Sequence, residues 1–343
     1  MDEYRSNIEL ADAARLCRDA GDPVLITTHA KPDGDAFGSV VALTAALRSQ
    51  GKSTLAYLIP PISRNFLKLA GANLVQVYEE GQALSEPSLV VLLDTGSWSQ
   101  LGSLRRQMEP WLDRMLIIDH HLNGDVPARY RCIDADAAAC SEIVAELIDQ
   151  MNVAFSATIS KSIYVGLASD TGWFRFSNTR PKTHRLAARL LQEGVNHGEL
   201  YRVLEQMERP EKLALLMRAL DSLVLLAGGR VAMMTIRGTD FEETGATIDE
   251  TERLVDIPQA VSAVQLVVLI TEPPANAMAT MGEAGRVIRL SFRSKPGPSA
   301  INVSKIAQRF KGGGHARAAG AKVDASLEDV VQQVTQVLTE AVS

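Results

Sequence analysis

The chain has 343 residues, of which 46% are hydrophobic and 22% are charged; this is typical of a folded globular protein, and the length favours two domains over one. No apolar run approaches the roughly 20 residues of a membrane span, and the acidic N-terminus lacks a signal peptide's apolar core, which excludes a membrane protein and predicts a cytoplasmic one. The formal net charge is −6, yet residues 286–322 contain nine basic residues and no acidic residue, which favours a short anionic ligand over long duplex nucleic acid.

The first half of the chain alternates short apolar runs with helical patterns, which predicts a mostly parallel sheet with crossover helices. Strands are expected over residues 23–29, 53–59, 88–94 and 114–119, and three of the four end on Asp or His. Amphipathic helices are expected over residues 37–50, 141–151, 156–169 and 179–194. The predicted fold class is therefore α/β.

The second half begins with helical patterns over residues 197–222 that look like a connector. Two strands are expected around the Gly-Gly turn of residues 222–236, followed by strands at 264–270 and 286–292 and helices at 302–310 and 326–341. We therefore divide the chain into a catalytic domain (1–190), a helical linker (191–222) and a smaller α/β domain (223–343).

Polar residues at the ends of the predicted strands form the main candidate site. One loop carries His29, Asp33 and Asp35, and the ends of three further elements carry Asp94, His120 and Asp170. A lone Asp-x-Asp is usually turn chemistry or a helix N-cap, but here four separate elements all end in metal-type ligands. Because the carboxyl ends of parallel strands converge on one crevice, we expect these six side chains to meet.

The types of these side chains predict a pair of divalent cations. Four aspartates carry four negative charges, which two divalent cations would neutralise, whereas the same carboxylates without metal would repel one another. Mixed carboxylate and imidazole ligation without thiolate suits Mn²⁺ first, and Mg²⁺, Fe²⁺ or Co²⁺ less well. Two such ions about 3.5–4 Å apart can share a carboxylate and activate a water for in-line attack on phosphorus.

Four of these stretches also resemble a known set of motifs. "HAKPDGD", "LLDTG", "DHH" and "SDTG" look like the four motifs of the DHH phosphoesterases, in the right order, and "FKGGGHARAAG" is similar to the Gly-Gly-Gly-His motif of their DHHA1 substrate domain. The five motifs extend over nearly the whole chain, so the sequence is identified as a member of this family. The resemblance implies a parallel-sheet DHH domain followed by a smaller α/β DHHA1 domain.

The resemblance also implies a role for each residue of the first domain. His29 and Asp33 would bind one metal. The second metal would be bound by Asp35, His120 and Asp170, and Asp94 would bridge the two metals. Asp119 would orient an imidazole, and His121 would face the substrate phosphate rather than a metal. The expected catalytic residues are thus Asp94, Asp119 and His121.

The second domain is expected to hold the substrate. Glycines let a backbone approach a ligand closely, and guanidinium or imidazolium groups offset the charge of a phosphodiester. The resemblance implies that Arg293 and His315 reach the substrate across a cleft, beside Gly313 and Gly314. Lys311 departs from the pattern, because family members often carry a further glycine there; this leaves an altered loop or an added phosphate contact as alternatives.

Within the family, the chain looks most like stand-alone bacterial oligoribonucleases that degrade very short RNAs and remove the 3′-phosphate of adenosine 3′,5′-bisphosphate (pAp). The implied ligands are short RNA oligonucleotides and the adenine nucleotides pAp and pApA, and a homodimer is left open. A phosphodiesterase of cyclic di-AMP or pApA is the alternative, and an inorganic pyrophosphatase is favoured less. A nucleotide-binding module without catalysis is also less favoured, because all six expected metal ligands are present.

Overall fold

The computed structural model describes residues 4–275, 287–297, 300–314 and 316–342. The chain forms two compact units, Met1–Met207 and Glu208–Ser343, and the division falls inside the segment predicted as a linker. Both helices of that segment pack on a unit: Leu200 belongs to the core of the first, and Leu215 and Ala219 belong to the core of the second.

The first unit is built on a six-stranded parallel sheet. Its strands are β1 (Val24–Thr27), β2 (Thr54–Leu58), β3 (Gln76–Val77), β4 (Leu89–Leu93), β5 (Met115–Asp119) and β6 (Tyr130–Ile133). They lie in the order β3-β2-β1-β4-β5-β6, and every neighbouring pair is parallel. The predicted α/β class with a parallel sheet is confirmed. The edge strands β3 and β6 were not predicted, because neither is a continuous apolar run.

Helices cover the sheet of the first unit. They are α1 (Leu10–Asp19), α2 (Gly34–Ser49), α3 (Arg105–Met108), α4 (Cys140–Gln150), α5 (Ala157–Asp170), α6 (Pro181–Gln192) and α7 (His197–Glu205). Along β4, Val91 and Leu93 join the cluster that contains α2, whereas Val90 and Leu92 join a cluster on the opposite face. Both faces of the sheet are therefore buried, which explains why its central strands are uninterrupted apolar runs.

The second unit contains another six-stranded sheet, in the order β11-β12-β10-β9-β8-β7. Its strands are β7 (Val224–Leu226), β8 (Val231–Ile236), β9 (Leu266–Thr271), β10 (Ile288–Ser294), β11 (Gly313–Gly314) and β12 (Ala318–Val323). Only β8 and β9 pair in parallel. Among the described residues, the α-helices of this unit are α8 (Pro210–Asp221), α9 (Gly238–Thr244), α10 (Val303–Gln308) and α11 (Leu327–Val342).

Alternation along β10 separates a core face from a polar face. Ile288, Leu290 and Phe292 are buried in the cluster that contains α10 and α11, while Arg289 and Arg293 lie on the other side of the strand. In the part of the chain that the structure describes, no helix of either unit is long and apolar enough to cross a membrane.

Candidate metal centre

The six predicted metal ligands come together at the carboxyl end of the parallel sheet. His29 and Asp33 follow β1, Asp94 follows β4, and His120 follows β5. The two remaining ligands lie at the start of α2 and the end of α5: Asp35 and Asp170. Between β1 and β4 the order of strands reverses direction, which is the topological switch point at which α/β proteins bind ligands.

The ligand atoms form two sets that meet at Asp94. One set contains His29, Asp33 and Asp94, the other contains Asp35, His120 and Asp170, and the atoms within each set lie within 4.8 Å of one another. Asp94 Oδ2 is 3.6 Å from His29 Nε2, and Asp94 Oδ1 is 3.3 Å from His120 Nε2. His120 Nε2 is also 3.3 Å from Asp170 Oδ2. A single carboxylate therefore stands between two imidazoles.

Backbone carbonyls fix which nitrogen of each imidazole faces the carboxylates. His29 Nδ1 lies 3.0 Å from the carbonyl oxygen of Ala30, and His120 Nδ1 lies 3.3 Å from that of Ala137. Because a carbonyl can only accept, each Nδ1 carries a proton in these contacts, and each Nε2 is the nitrogen left to bind either a proton or a cation at the centre.

Two buried atoms that can each accept a proton or bind a cation therefore face each other. His120 Nε2 and Asp94 Oδ1 are buried and have no hydrogen-bond partner among the described residues. Their contact is unfavourable while both offer lone pairs, and a divalent cation beside them would turn both into ligands. The residues present thus fit the pair of cations expected from the sequence.

The electrostatics of the centre favour positive charge. Burial, and then repulsion by Asp94, raise the pKa of Asp33 to about 6 and that of Asp35 well above its ordinary value. Burial acts on Asp94 in the same direction, but the imidazoles of His120 and His29 outweigh it and hold the Asp94 pKa at about 2. Burial lowers the pKa of His29, yet Asp94 and Asp33 outweigh it and raise that pKa to about 9. Without cations, the centre takes up protons instead.

The two aspartates of the first loop each bind a helix N-terminus, but not the same one. Asp33 is the N-cap of α2, and its Oδ1 accepts from the N–H groups of Asp35 and Ala36 at 3.0 Å. Asp35 accepts instead from the N–H groups of Cys140 and Ser141 at the start of α4, at 2.5 and 2.9 Å. Both carboxylates are therefore held in fixed orientations before any cation binds.

Asp94 leaves β4 with an unusual backbone conformation. Its φ is 61°, in the left-handed region that side chains other than glycine seldom adopt but that Asp and Asn tolerate best. The turn is secured by the Asp94 N–H, which donates to the carbonyl of Ile118 on β5 at 3.0 Å. The strained turn brings the carboxylate into the buried centre.

Asp119 orients the second of the two adjacent histidines. It is fully buried, and its Oδ1 accepts from the N–H of His120 at 2.8 Å, from the N–H of His121 at 3.2 Å and from His121 Nδ1 at 2.7 Å. The His121 side chain is 37% exposed, against 14% for His120. His121 Nδ1 lies 3.8 Å from Asp94 Oδ1, so a set of Asp94, His120 and His121 also meets the distance of a metal group.

Glycines that bring α2 and α5 together were missed by the sequence analysis. A Cβ added at Gly38 would lie 2.3 Å from the carbonyl oxygen of Ser162, and one at Gly34 would lie 2.7 Å from Ser169 Cβ. The small-x-x-x-small spacing of Gly34 and Gly38 was the available signal. These contacts hold together the helices that carry Asp35 and Asp170.

Asn178 was also missed, and no sequence pattern marks it. Its Nδ2 donates to the carbonyl of Asp170 and to the carbonyl of Ala138, both at 3.0 Å. Ala138 follows Ala137, whose carbonyl accepts from His120. One amide thus ties the backbone of one predicted metal ligand to the segment that orients another.

In the second unit, Arg293 has partners of its own. Its Nε lies 3.4 Å from Asp256 Oδ1, and its Nη1 donates to the carbonyl of Phe292 at 3.1 Å. Lys295 Nζ donates to the carbonyl of Val261 at 2.5 Å. Part of the basic segment therefore stabilises this unit as well as supplying positive charge.

The predicted glycine loop is a strand. Gly313 and Gly314 form β11, which pairs with Gly320 and Ala319 of β12. Gly314 has φ 136°, and a Cβ there would lie 2.6 Å from the carbonyl oxygen of Ala318, so only glycine fits. The space around Gly313 is open within 4 Å. His315, the next predicted substrate residue, lies outside the described residues.

Comparison with known proteins identifies the family. Residues 23–168 match the DHH family, N-terminal domain, and residues 228–343 match the DHHA1 domain. The bifunctional oligoribonuclease and PAP phosphatase NrnA of Thermus thermophilus is 30% identical over 324 residues, which are 93% of this chain and 91% of the relative. The chain belongs to the DHH/DHHA1 family. This DHH/DHHA1 protein is therefore a hydrolase that acts on phosphodiester bonds, as its motifs predicted.

A second sequence relative matches the DHH/DHHA1 protein in extent, and two solved structures match it in fold. The NrnA of Bacillus subtilis is 28% identical and covers 88% of this chain and 90% of its own. The structure of an exopolyphosphatase-related protein from Bacteroides fragilis superposes with a TM-score of 0.85 at 22% identity, over 97% of this chain and 96% of the other. Exonuclease RecJ bound to manganese gives 0.57 at 14% identity, over 96% and 94%. Both solved structures therefore share the fold of this chain.

Proposed function

We propose that this protein is a Mn²⁺-dependent phosphoesterase that hydrolyses short oligoribonucleotides to mononucleotides and removes the 3′-phosphate of pAp in the cytoplasm. The observation that carries the proposal is the pair of buried acceptors, Asp94 Oδ1 and His120 Nε2, 3.3 Å apart at the junction of two ligand sets. Two NrnA proteins named for these two activities match nearly the whole chain, which supports the substrate class.

Each ligand set would hold one cation, and Asp94 would contact both. When bound, two divalent cations supply charge that stabilises a phosphate in displacement and lower the pKa of an attacking water. Carboxylate and imidazole ligands without thiolate suit Mn²⁺ first. The protein's own contribution is to fix these ligands: Asp33 and Asp35 on helix N-termini, and His29 and His120 on backbone carbonyls.

His121 is assigned to the substrate phosphate. Its Nδ1 is held by the buried Asp119 carboxylate at 2.7 Å, and its side chain is more exposed than that of His120. An imidazole fixed in this way can stabilise charge or transfer a proton at a phosphate oxygen. Arg293, His315, Gly313 and Gly314 are assigned to the end of the substrate, which the acid-free basic segment supports.

A parallel assay with Mn²⁺ tests the proposal. Purified protein is given diadenylate, pAp, cyclic di-AMP, pyrophosphate and a 24-nucleotide RNA in one buffer, with Mg²⁺, Co²⁺ and EDTA as matched conditions. We expect kcat/KM for diadenylate and pAp to exceed that for the other three substrates at least tenfold, with AMP as a product of both. A preference for cyclic di-AMP or pyrophosphate would contradict short oligoribonucleotides and pAp as the substrate class. A preference for the 24-mer would contradict an enzyme of short substrates. No turnover with any metal would indicate a binding module without catalysis.

A further inference from the structure

The residues before α1 contact the edge strand β6 of the parallel sheet. Asn7 donates from its N–H to the carbonyl of Arg131 at 2.9 Å, and its Oδ1 accepts from the N–H of Arg131 at 2.7 Å. Ser6 Oγ donates to the carbonyl of Ile133 at 2.9 Å and lies 2.7 Å from the nitrogen of the same residue. These contacts occupy the open side of the edge strand β6 and hold the N-terminal segment in place.

This segment delivers the side chain of Tyr4 to the candidate active site. The Tyr4 hydroxyl donates to Asp119 Oδ2 at 2.7 Å. The other oxygen of that carboxylate accepts from His121 Nδ1. Burial, and then the charge of Asp119, raise the pKa of Tyr4 above the ordinary range of a phenol, so the hydroxyl keeps its proton and remains a donor.

Two glycines leave a slot for the Tyr4 ring. A Cβ added at Gly96 would lie 2.0 Å from Tyr4 Oη, and one at Gly124 would lie 2.3 Å from Tyr4 Cε2. Gly96 follows Asp94 in one loop, Gly124 follows His121 in another, and the Gly96 carbonyl joins the loops by accepting from the N–H of Asp125 at 2.8 Å. The ring therefore fits only because both loops omit a side chain at the point of contact.

We propose that Tyr4 is a positioning residue for phosphodiester hydrolysis, acting through Asp119 on His121. The inference rests on the role assigned to His121 in the proposed function. A carboxylate held at one oxygen can rotate about its bond to Cβ, whereas donors on both oxygens fix its plane and therefore the imidazole that it orients. Loss of such a supporting contact lowers activity by a factor on the order of 10–100, while contacts to the cations are unchanged.

Tyr4→Phe tests the inference, because it removes the hydroxyl and keeps the ring in the slot. The matched control is Tyr78→Phe: Tyr78 is buried in the cluster against which Tyr4 also packs, and its hydroxyl accepts from Gln107 at 2.8 Å instead of donating to Asp119. Full-length proteins are assayed with Mn²⁺ on diadenylate and on bis(p-nitrophenyl) phosphate. The second substrate requires only phosphodiester hydrolysis, so it reports on Tyr4 even if diadenylate is the wrong substrate.

We expect Tyr4→Phe to lower kcat on both substrates by about 10–100-fold with KM, the Mn²⁺ Kd and Tm close to wild type, and Tyr78→Phe to leave kcat unchanged. In a His121→Ala background, Tyr4→Phe should have no further effect, because the residue through which it acts is gone. A kcat within twofold of wild type would overturn the inference. So would a fall in Mn²⁺ affinity or Tm that accounts for the lost activity, or an undiminished effect of Tyr4→Phe without His121.

Discussion

The contact between α2 and α5 couples the stability of the first unit to its metal centre, and Gly38→Ala tests that coupling. The added Cβ would lie 2.3 Å from the carbonyl oxygen of Ser162, roughly 1 Å inside ordinary van der Waals contact. The atom it meets belongs to the backbone of α5, so no side chain can rotate away and the helices must separate. Overpacking of this kind costs about 1–3 kcal/mol, which corresponds to roughly 2–12 °C in the Tm of the first unit.

The same displacement should weaken cation binding. Asp35 stands one turn before Gly38 on α2, and Asp170 is the last residue of α5. Ligand distances in metal sites are held to within about 0.2 Å, so a shift approaching 1 Å between these carboxylates removes one of them from productive geometry. We expect the Mn²⁺ Kd to rise at least tenfold, which is about 1.4 kcal/mol.

Scanning calorimetry and Mn²⁺ titration calorimetry measure the two effects. The matched control is Gly198→Ala in the first turn of α7, where the added Cβ would meet only Asn196 Oδ1, at 3.5 Å. That variant should be neutral or stabilising by up to about 1 kcal/mol, because alanine favours a helix over glycine. If Gly38→Ala matched the wild type in both Tm and Mn²⁺ affinity, the close helix contact would have no bearing on either property.

Three further predictions concern the cations. Asp94→Asn keeps the size of the side chain and its tolerance of the left-handed backbone. It should abolish turnover and lower the Mn²⁺ content measured by metal analysis, because a neutral amide cannot hold two cations. More than a few per cent of wild-type activity at saturating Mn²⁺ would contradict a bridging role. His120→Ala should weaken Mn²⁺ binding, whereas His121→Ala should leave it nearly unchanged and lower kcat by a factor on the order of 10²–10⁴; equal loss of metal would disprove the division of roles. EDTA should lower the Tm at pH 7.5, and Mn²⁺ at about 100 times its Kd should raise the free energy of unfolding by about 2.7 kcal/mol. A Tm that neither EDTA nor Mn²⁺ changes would exclude cations from this buried centre.

The central strands and the metal-type ligands could be predicted because their signals are local. Strands β1, β4 and β5 are apolar runs that are followed by, or end at, polar residues, and parallel strands carry those ends to one edge. Strand β12, with the sequence AAGAKV, lacks this signal: its strand conformation depends on pairing with β10 along Ala318–Val323.

The supporting contacts could not be predicted, because each joins segments that are distant in the chain. Asp35 accepts a hydrogen bond from the N–H of Cys140 at the start of α4, 105 residues away. Tyr4 donates a hydrogen bond to Asp119, 115 residues away. An Asp-x-Asp motif can supply a helix N-cap, and here Asp33, not Asp35, is the cap of α2. Which carboxylate binds which helix is decided by tertiary packing, so the ligand types are readable from sequence while their orientation is not.

Asp119 explains why two adjacent histidines can serve different tasks. It is the last residue of β5, and its buried Oδ1 accepts from the N–H groups of both His120 and His121, so the backbone must turn around this carboxylate. The turn sends the His120 ring toward Asp94 and Asp170, and it leaves the His121 ring on Asp119 itself. The two rings lie 4.7 Å apart at 69°. Because both orientations depend on one carboxylate, loss of Asp119 should disturb cation binding and catalysis together, whereas loss of either histidine should disturb mainly one.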